Sequence, residues 1–147
     1  MTPYLILTDE MIHALGLAAK RGVDVRMITP GIPDKKLVYS VTRSYYHSLT
    51  RSGVRIYEYT PGFMHAKQCI IDDKAAVCGT INLDYRSLYH HFECATYLYQ
   101  VPCIREIEAD FQATLAQCRA VTPETIRKEK LSYKVLGSIM KLVAPMM

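Results

Sequence analysis

The chain predicts an α/β fold, on three observations. Short apolar runs of strand length alternate with amphipathic helical stretches, glycine and proline fall at the junctions, and half of the 147 residues are hydrophobic, enough for one packed core. Tyr4 to Leu7 is the first such run. Thr8 follows as an N-cap whose hydroxyl can accept from a free helix amide, and Met11, Ile12, Leu15, Ala18 and Ala19 share one face of the helix behind it. Arg21-Gly22 ends that helix. Val23, Val25, Met27 and Ile28 make a second strand, stopped at Thr29-Pro30-Gly31. A second helix is expected from about Asp34 to Arg51, because Leu37, Val41, Tyr45 and Leu49 recur every four residues and Gly53 supplies the stop. Val54 to Tyr59 is the third strand. Strand-helix-strand units pair their strands in parallel under covering helices.

Beyond Pro61-Gly62 the pattern changes. Ala66 to Ile71 and Ala75 to Cys78 are short apolar strands joined through Asp72-Asp73-Lys74, which reads as a hairpin turn. Phe92 to Tyr99 is a further strand. Ile104, Ile107, Phe111, Leu115 and Cys118 mark one face of a long helix with Glu106, Glu108 and Asp110 near its start, where carboxylates suit the helix dipole. These elements make up one unit over residues 1–121. Its sheet starts at residue 4 with nothing ahead of it, although parallel strands are ordinarily covered on both faces, so missing N-terminal sequence is expected.

Residues 122–147 form a separate basic amphipathic segment. Leu131, Val135, Ile139 and Leu142 align on one face, and Lys128, Lys130, Lys134 and Lys141 supply positive charge. Two destinations stay open for that face: an anionic lipid surface, or the domain itself.

Composition narrows the setting more than the function. A net charge of +4 and a pI near 8.8 suit an anionic lipid surface or nucleic acid and choose neither. The five cysteines are odd in number and contain no Cys-x-x-Cys pair, which argues against a disulfide framework or zinc knuckle and fits a reducing cytoplasm. No run approaches the roughly 20 apolar residues needed to cross a bilayer, and no signal peptide opens the chain. A membrane-bound role would place this chain on the bilayer surface.

The chemistry concentrates in FMHAKQCIIDDKAAVCGTIN, Phe63 to Asn82. On a strand, His65 and Lys67 point to the same side and can address one phosphate together. Asn82 follows the next strand after Gly79-Thr80, where an amide can donate to a phosphoryl oxygen and glycine permits close backbone approach. A neutral imidazole can attack phosphorus to form a phosphohistidine, while Lys67 and Asn82 stabilise charge on the equatorial oxygens. No metal or other cofactor is required by this set. Glu93 is the candidate to hold the other ring nitrogen of His65 and fix its tautomer. Asp72 belongs to the same constellation, although its position at the strand end reads as a turn or framework carboxylate.

The set His65-x-Lys67-x4-Asp72-x6-Gly79-x-x-Asn82 resembles the signature of the phospholipase D superfamily without a gap. The flanks AAKRGVDVR (Ala18 to Arg26), PDKKLVY (Pro33 to Tyr39), SGVRIYEYTPGFMHAK (Ser52 to Lys67) and NLDYRSLYHHFE (Asn82 to Glu93) are similar to the C-terminal half of bacterial cardiolipin synthases. The resemblance implies a mixed sheet flanked by helices on both faces, lacking here the first helix and strand of the half-domain. It implies phosphatidyl transfer through a phosphohistidine, making cardiolipin from two phosphatidylglycerol molecules with release of glycerol. It gives Gly79, Thr80, Arg86 and Ser87 a place around the lipid headgroup. It also implies work at the cytoplasmic face of the bacterial membrane, to which this chain would attach peripherally.

Such enzymes build one site from two motifs, and this chain has one. His13 and His47 lie in expected helices, and His90 and His91 lack a lysine two residues on. The second half-site is therefore expected from the missing N-terminal part or from a homodimer partner. C-terminal motifs of such enzymes often take the acid role, which favours that role for His65 and leaves the nucleophile's role open to it. Two rival readings remain: a homodimeric phosphodiesterase or nuclease, and a catalytically silent fragment. Nucleic acid is not expected as a partner, because Tyr39, Tyr45, Tyr46, Tyr57 and Tyr59 fall on core or semi-core faces instead of forming an exposed stacking platform.

Overall fold

The computed structural model describes residues 1–146. The first half follows the periodicity closely. β1 (Leu5–Ile6) leads through Thr8, whose Oγ1 accepts from the Met11 amide at 3.3 Å, into α1 (Asp9–Lys20). β2 (Arg26–Pro30), α2 (Lys36–Arg51) and β3 (Arg55–Tyr59) come next, and β2 and β3 pair in parallel from Arg26↔Arg55 to Pro30↔Tyr59. β4 (Gln68–Ile71) and β5 (Ala75–Gly79) form the expected hairpin. Its turn places Asp72 and Asp73 at φ 49° and 54°, a left-handed conformation that short acidic residues tolerate. β6 (Leu83–Asp84), β7 (Ala95–Tyr99), α3 (Ile104–Leu115), β8 (Cys118–Ala120), α4 (Pro123–Arg127) and α5 (Leu131–Met140) complete the order, followed by a 3-10 stretch at Lys141–Met146.

The strands are mixed, as the family resemblance implies. β2-β3-β8 and β4-β5-β7 form two three-stranded sheets, with β8 antiparallel to β3 and the second sheet wholly antiparallel. β1 and β6 pair in parallel as a separate ribbon. Helices flank them: α2 packs on β1 and β3, and α3 on β3 and β4. The core is Leu5, Ile6, Leu7, Met27, Val41, Tyr45, Tyr46, Leu49, Val54 and Ile56, contributed by β1, the β2–β3 pair, α2 and their flanks, with Ala144 of the C-terminal 3-10 stretch.

Several sequence expectations need correction. The strand expected at Ala66 begins at Gln68, where pairing with Cys78 starts, so His65 and Lys67 sit on the approach to the strand. The strand expected at Phe92 begins at Ala95, because Thr80 captures both the Cys94 carbonyl (2.9 Å) and the Cys94 amide (3.0 Å) ahead of the ladder. Cys118 is not on the helix. It opens β8 opposite Tyr59, which satisfies the free edge of β3. Leu37 is exposed, while Val41, Tyr45 and Leu49 are buried.

A buried ionic network ties the C-terminal segment to this core. Arg43 of α2 pairs with Glu58 of β3 and with Glu129 between α4 and α5, and Arg119 reaches the second oxygen of Glu58 at 2.7 Å. Among the described residues no helix is long and apolar enough to cross a membrane, and all five cysteines are free.

Candidate active site

Three segments converge at one end of the β4-β5-β7 sheet. The loop after β3 brings His65 and Lys67, the β5–β6 loop brings Thr80 and Asn82, and the segment before β7 brings Glu93. Lys67 Nζ lies 3.1 Å from His65 Nδ1 and 3.3 Å from Nε2, and donates to the His65 carbonyl at 2.7 Å. The sequence pairing of these two side chains is thus realised by the lysine curling back over its own turn. His65 is exposed. Its ring meets Phe63 at 5.6 Å and the edge of Tyr4 at 6.3 Å between centroids. Partial burial lowers the Lys67 pKa, while the carboxylates of Glu93 and Asp84 pull it back up.

Glu93 accepts from the Thr80 hydroxyl, and the Thr80 and Ser87 hydroxyls together hold its carboxyl below the usual glutamate range. Among the described residues no hydrogen bond joins Glu93 to His65, so here Glu93 orients hydroxyls in place of the imidazole. Asn82 Nδ2 donates to Ser87 Oγ at 3.2 Å, and the Ser87 amide donates to Asp84 Oδ1 at 2.7 Å. Asn82 thereby keeps one amide N–H for a ligand, and its buried Oδ1 has no partner among the described residues. A ring nitrogen, an ammonium and amide and hydroxyl donors gathered on an open face can grip a phosphodiester.

Of the remaining expected site residues, Ser87 joins the cluster through Asn82 and Glu93, while among the described residues Asp72, Gly79 and Arg86 make none of its side-chain hydrogen bonds. Asp72 is not part of this cluster: it sits exposed in the hairpin turn, and the full length of β4 lies between it and Lys67. Gly79 serves the sheet, since a Cβ there would come within 2.2 Å of the Cys94 carbonyl oxygen and 2.5 Å of Ala95 Cα. Ser87 is buried and Arg86 exposed on a π-helical turn (Arg86–His90). Sequence reasoning passed over Asp84 and Tyr4. Asp84 stands in the same Asn-Leu-Asp-x-Arg-Ser run that drew attention to Arg86 and Ser87, so its signal was present. Tyr4 has none, and comes beside His65 in a segment whose Met1 exchanges backbone hydrogen bonds with Gln68 at 2.6 and 3.1 Å.

Fold and site together define a phospholipase D-like half-domain carrying one histidine-lysine-asparagine set. A family model described as "Cardiolipin synthase, PLD-like domain" matches residues 1–115, and the chain belongs to that family. An uncharacterised protein of Streptococcus mutans is 61% identical over the whole chain, which covers 32% of its length. A cardiolipin synthase of Geobacillus sp. is 38% identical over 99% of the chain and 29% of its own length. The chain thus spans about a third of these relatives. Among solved structures, a phosphatidylserine synthase of Haemophilus influenzae superposes over 99% of the chain and 40% of its own (TM-score 0.75, 15% identity). The phospholipase D family member Nuc of Salmonella typhimurium superposes over 82% of this chain and 79% of its own (TM-score 0.69, 20% identity). Both establish the fold.

Proposed function

We propose that the chain supplies one half-site of a phosphatidyl transfer reaction that converts two phosphatidylglycerol molecules into cardiolipin and glycerol. The observation that carries this is the contact of Lys67 Nζ with the ring of His65 at 3.1 Å, beside Asn82, in a chain of the cardiolipin synthase family. One of two paired histidines attacks phosphorus, and its partner hands a proton to the departing glycerol oxygen. The primary hydroxyl of a second phosphatidylglycerol then attacks the phosphatidyl-histidine, giving its proton back to the second histidine. Lys67 and Asn82 stabilise the negative charge on the phosphoryl oxygens in both steps. Glu93 positions Thr80 and Ser87, and Ser87 in turn positions Asn82.

The second histidine comes from another half-site, in the further length that the curated relatives possess or in a second copy of this chain. The reaction takes place at the cytoplasmic face of the bacterial membrane, to which this chain attaches peripherally. Residues 1–121 carry the half-site, with 122–147 as an attached basic segment.

Purified chain is supplied with phosphatidylglycerol in mixed micelles, and cardiolipin and glycerol are measured with His65→Ala alongside. Equal yields of both products that vanish with His65→Ala are expected from a self-paired site. Release of phosphatidic acid alone, or cleavage of DNA in a parallel arm, would instead support a phosphodiesterase.

A further inference from the structure

The surface formed by α2, α4 and α5 carries features that transfer does not use. α5 lies against α2 through Gly137, which is buried so closely that a Cβ would come within 2.5 Å of the Ser40 carbonyl oxygen. Tyr133, Leu136 and Met140 are half-buried on the same side. The opposite side of the helix is therefore outward. Leu131, Val135 and Ile139 are 74%, 50% and 57% exposed there, and Leu142 continues the row at 83%. An uncovered aliphatic row of this length on a folded surface points to a partner.

Beside the start of α5 is a groove of about 440 Å³ between α2, α4 and α5, lined by His47, Arg51, Ile126, Arg127 and Lys134. Every ionisable side chain in that lining is basic. Residues 122–147 hold two carboxylates, Glu124 and Glu129, against five cations. Neither carboxylate lines the groove, and Glu129 is already paired with Arg43. Lys128 and Lys130 add exposed positive charge next to the aliphatic row.

We propose that this face docks on an anionic phospholipid bilayer, with the Leu131–Val135–Ile139–Leu142 row in the interface and a lipid phosphate in the basic groove. An aliphatic row bordered by cations, with its own carboxylate neutralised, is complementary to acyl chains beneath a layer of phosphates. Another protein segment would match the row, but it would have to bring acidic groups to match the groove. The proposal deepens the reading that the chain works at a membrane. Its test does not pass through transfer activity, so the two can fail separately.

The chain contains no tryptophan, so Leu131→Trp places a single reporter on the row. Its emission should shift to the blue on adding vesicles of phosphatidylcholine containing phosphatidylglycerol, and stay unchanged with phosphatidylcholine alone. In flotation, Val135→Glu with Ile139→Glu should lower partitioning at least about tenfold, and Arg51→Gln with Arg127→Gln about thirtyfold. All four positions are exposed, and circular dichroism checks that each variant remains folded. His65→Ala should float like the unaltered chain. Equal binding to both vesicle types, binding indifferent to these substitutions, or a groove that takes inorganic phosphate while the chain ignores vesicles would each overturn the proposal. So would a row whose substitution changes only the oligomeric state.

Discussion

Lys67 couples the candidate chemistry to pH. Its partial burial beside His65 brings its pKa below the ordinary lysine value of 10.5. The positive charge needed on the phosphoryl oxygens is therefore lost at lower pH than from a solvated lysine, and the alkaline limb of kcat/KM should fall below that value. Lys67→Arg should move the limb upward, because guanidinium stays charged throughout. A pH–rate profile with an unmoved limb would assign it to another group. The sign for stability is the reverse of a salt-bridged lysine: a lowered folded pKa means that the protonated form is penalised on folding. Lys67→Met should thus melt no lower than the parent at neutral pH while transfer is lost. Gly79→Ala should destabilise by about 2 kcal/mol or more in urea unfolding, since its Cβ must displace the Cys94 backbone. His65, Lys67, Thr80 and Asn82 are legible from their fixed spacing, although His65 and Lys67 precede β4 and meet through the turn of the lysine and not through strand alternation. Asp84 was legible in the Asn-Leu-Asp run, whereas Tyr4 joins through backbone hydrogen bonds between Met1 and Gln68, a contact between distant segments with no local signature.

Helices α1 and α2 declare themselves by period and caps, and the β4–β5 hairpin by its acidic turn. β6 and β8 do not, because strands of two and three residues are defined by the neighbour they pair with. The same limit applies to the C-terminal segment. Its apolar periodicity was plain, but which side of α5 meets the domain is decided by Gly137 against Ser40, which turns the Leu131 row outward. The segment is fastened by Ala144, Met140 and Ile126 packing on the core and by an ionic contact, in which Arg43 is mostly buried between Glu58 and Glu129. Arg43→Ala leaves Glu58 buried with Arg119 alone, and should cost about 3–5 kcal/mol, read as a fall in the urea midpoint. An unchanged midpoint would show that the network contributes nothing net to the fold.

At the scale of the molecule, the chain corresponds to about a third of its curated relatives and carries one motif. Its β7 edge leaves Tyr97 and Tyr99 65% and 56% exposed with their rings stacked, and Phe92 beside the site is wholly exposed. Sequence reasoning weighed only the tyrosines of α2 and β3 and missed this apolar edge. Such a surface should drive concentration-dependent self-association in sedimentation velocity, weakened by Phe92→Asp and Tyr97→Lys. Whatever completes the site, the proposed function requires His65 and its neighbours to form a competent half-site for phosphatidyl transfer. Its most direct test is a chimera in which these 147 residues replace the matching segment of the Geobacillus cardiolipin synthase. The chimera should convert phosphatidylglycerol to cardiolipin, and His65→Ala within it should lower the rate at least about a thousandfold. A folded chimera that makes no cardiolipin, or one that keeps making it without His65, would contradict the account.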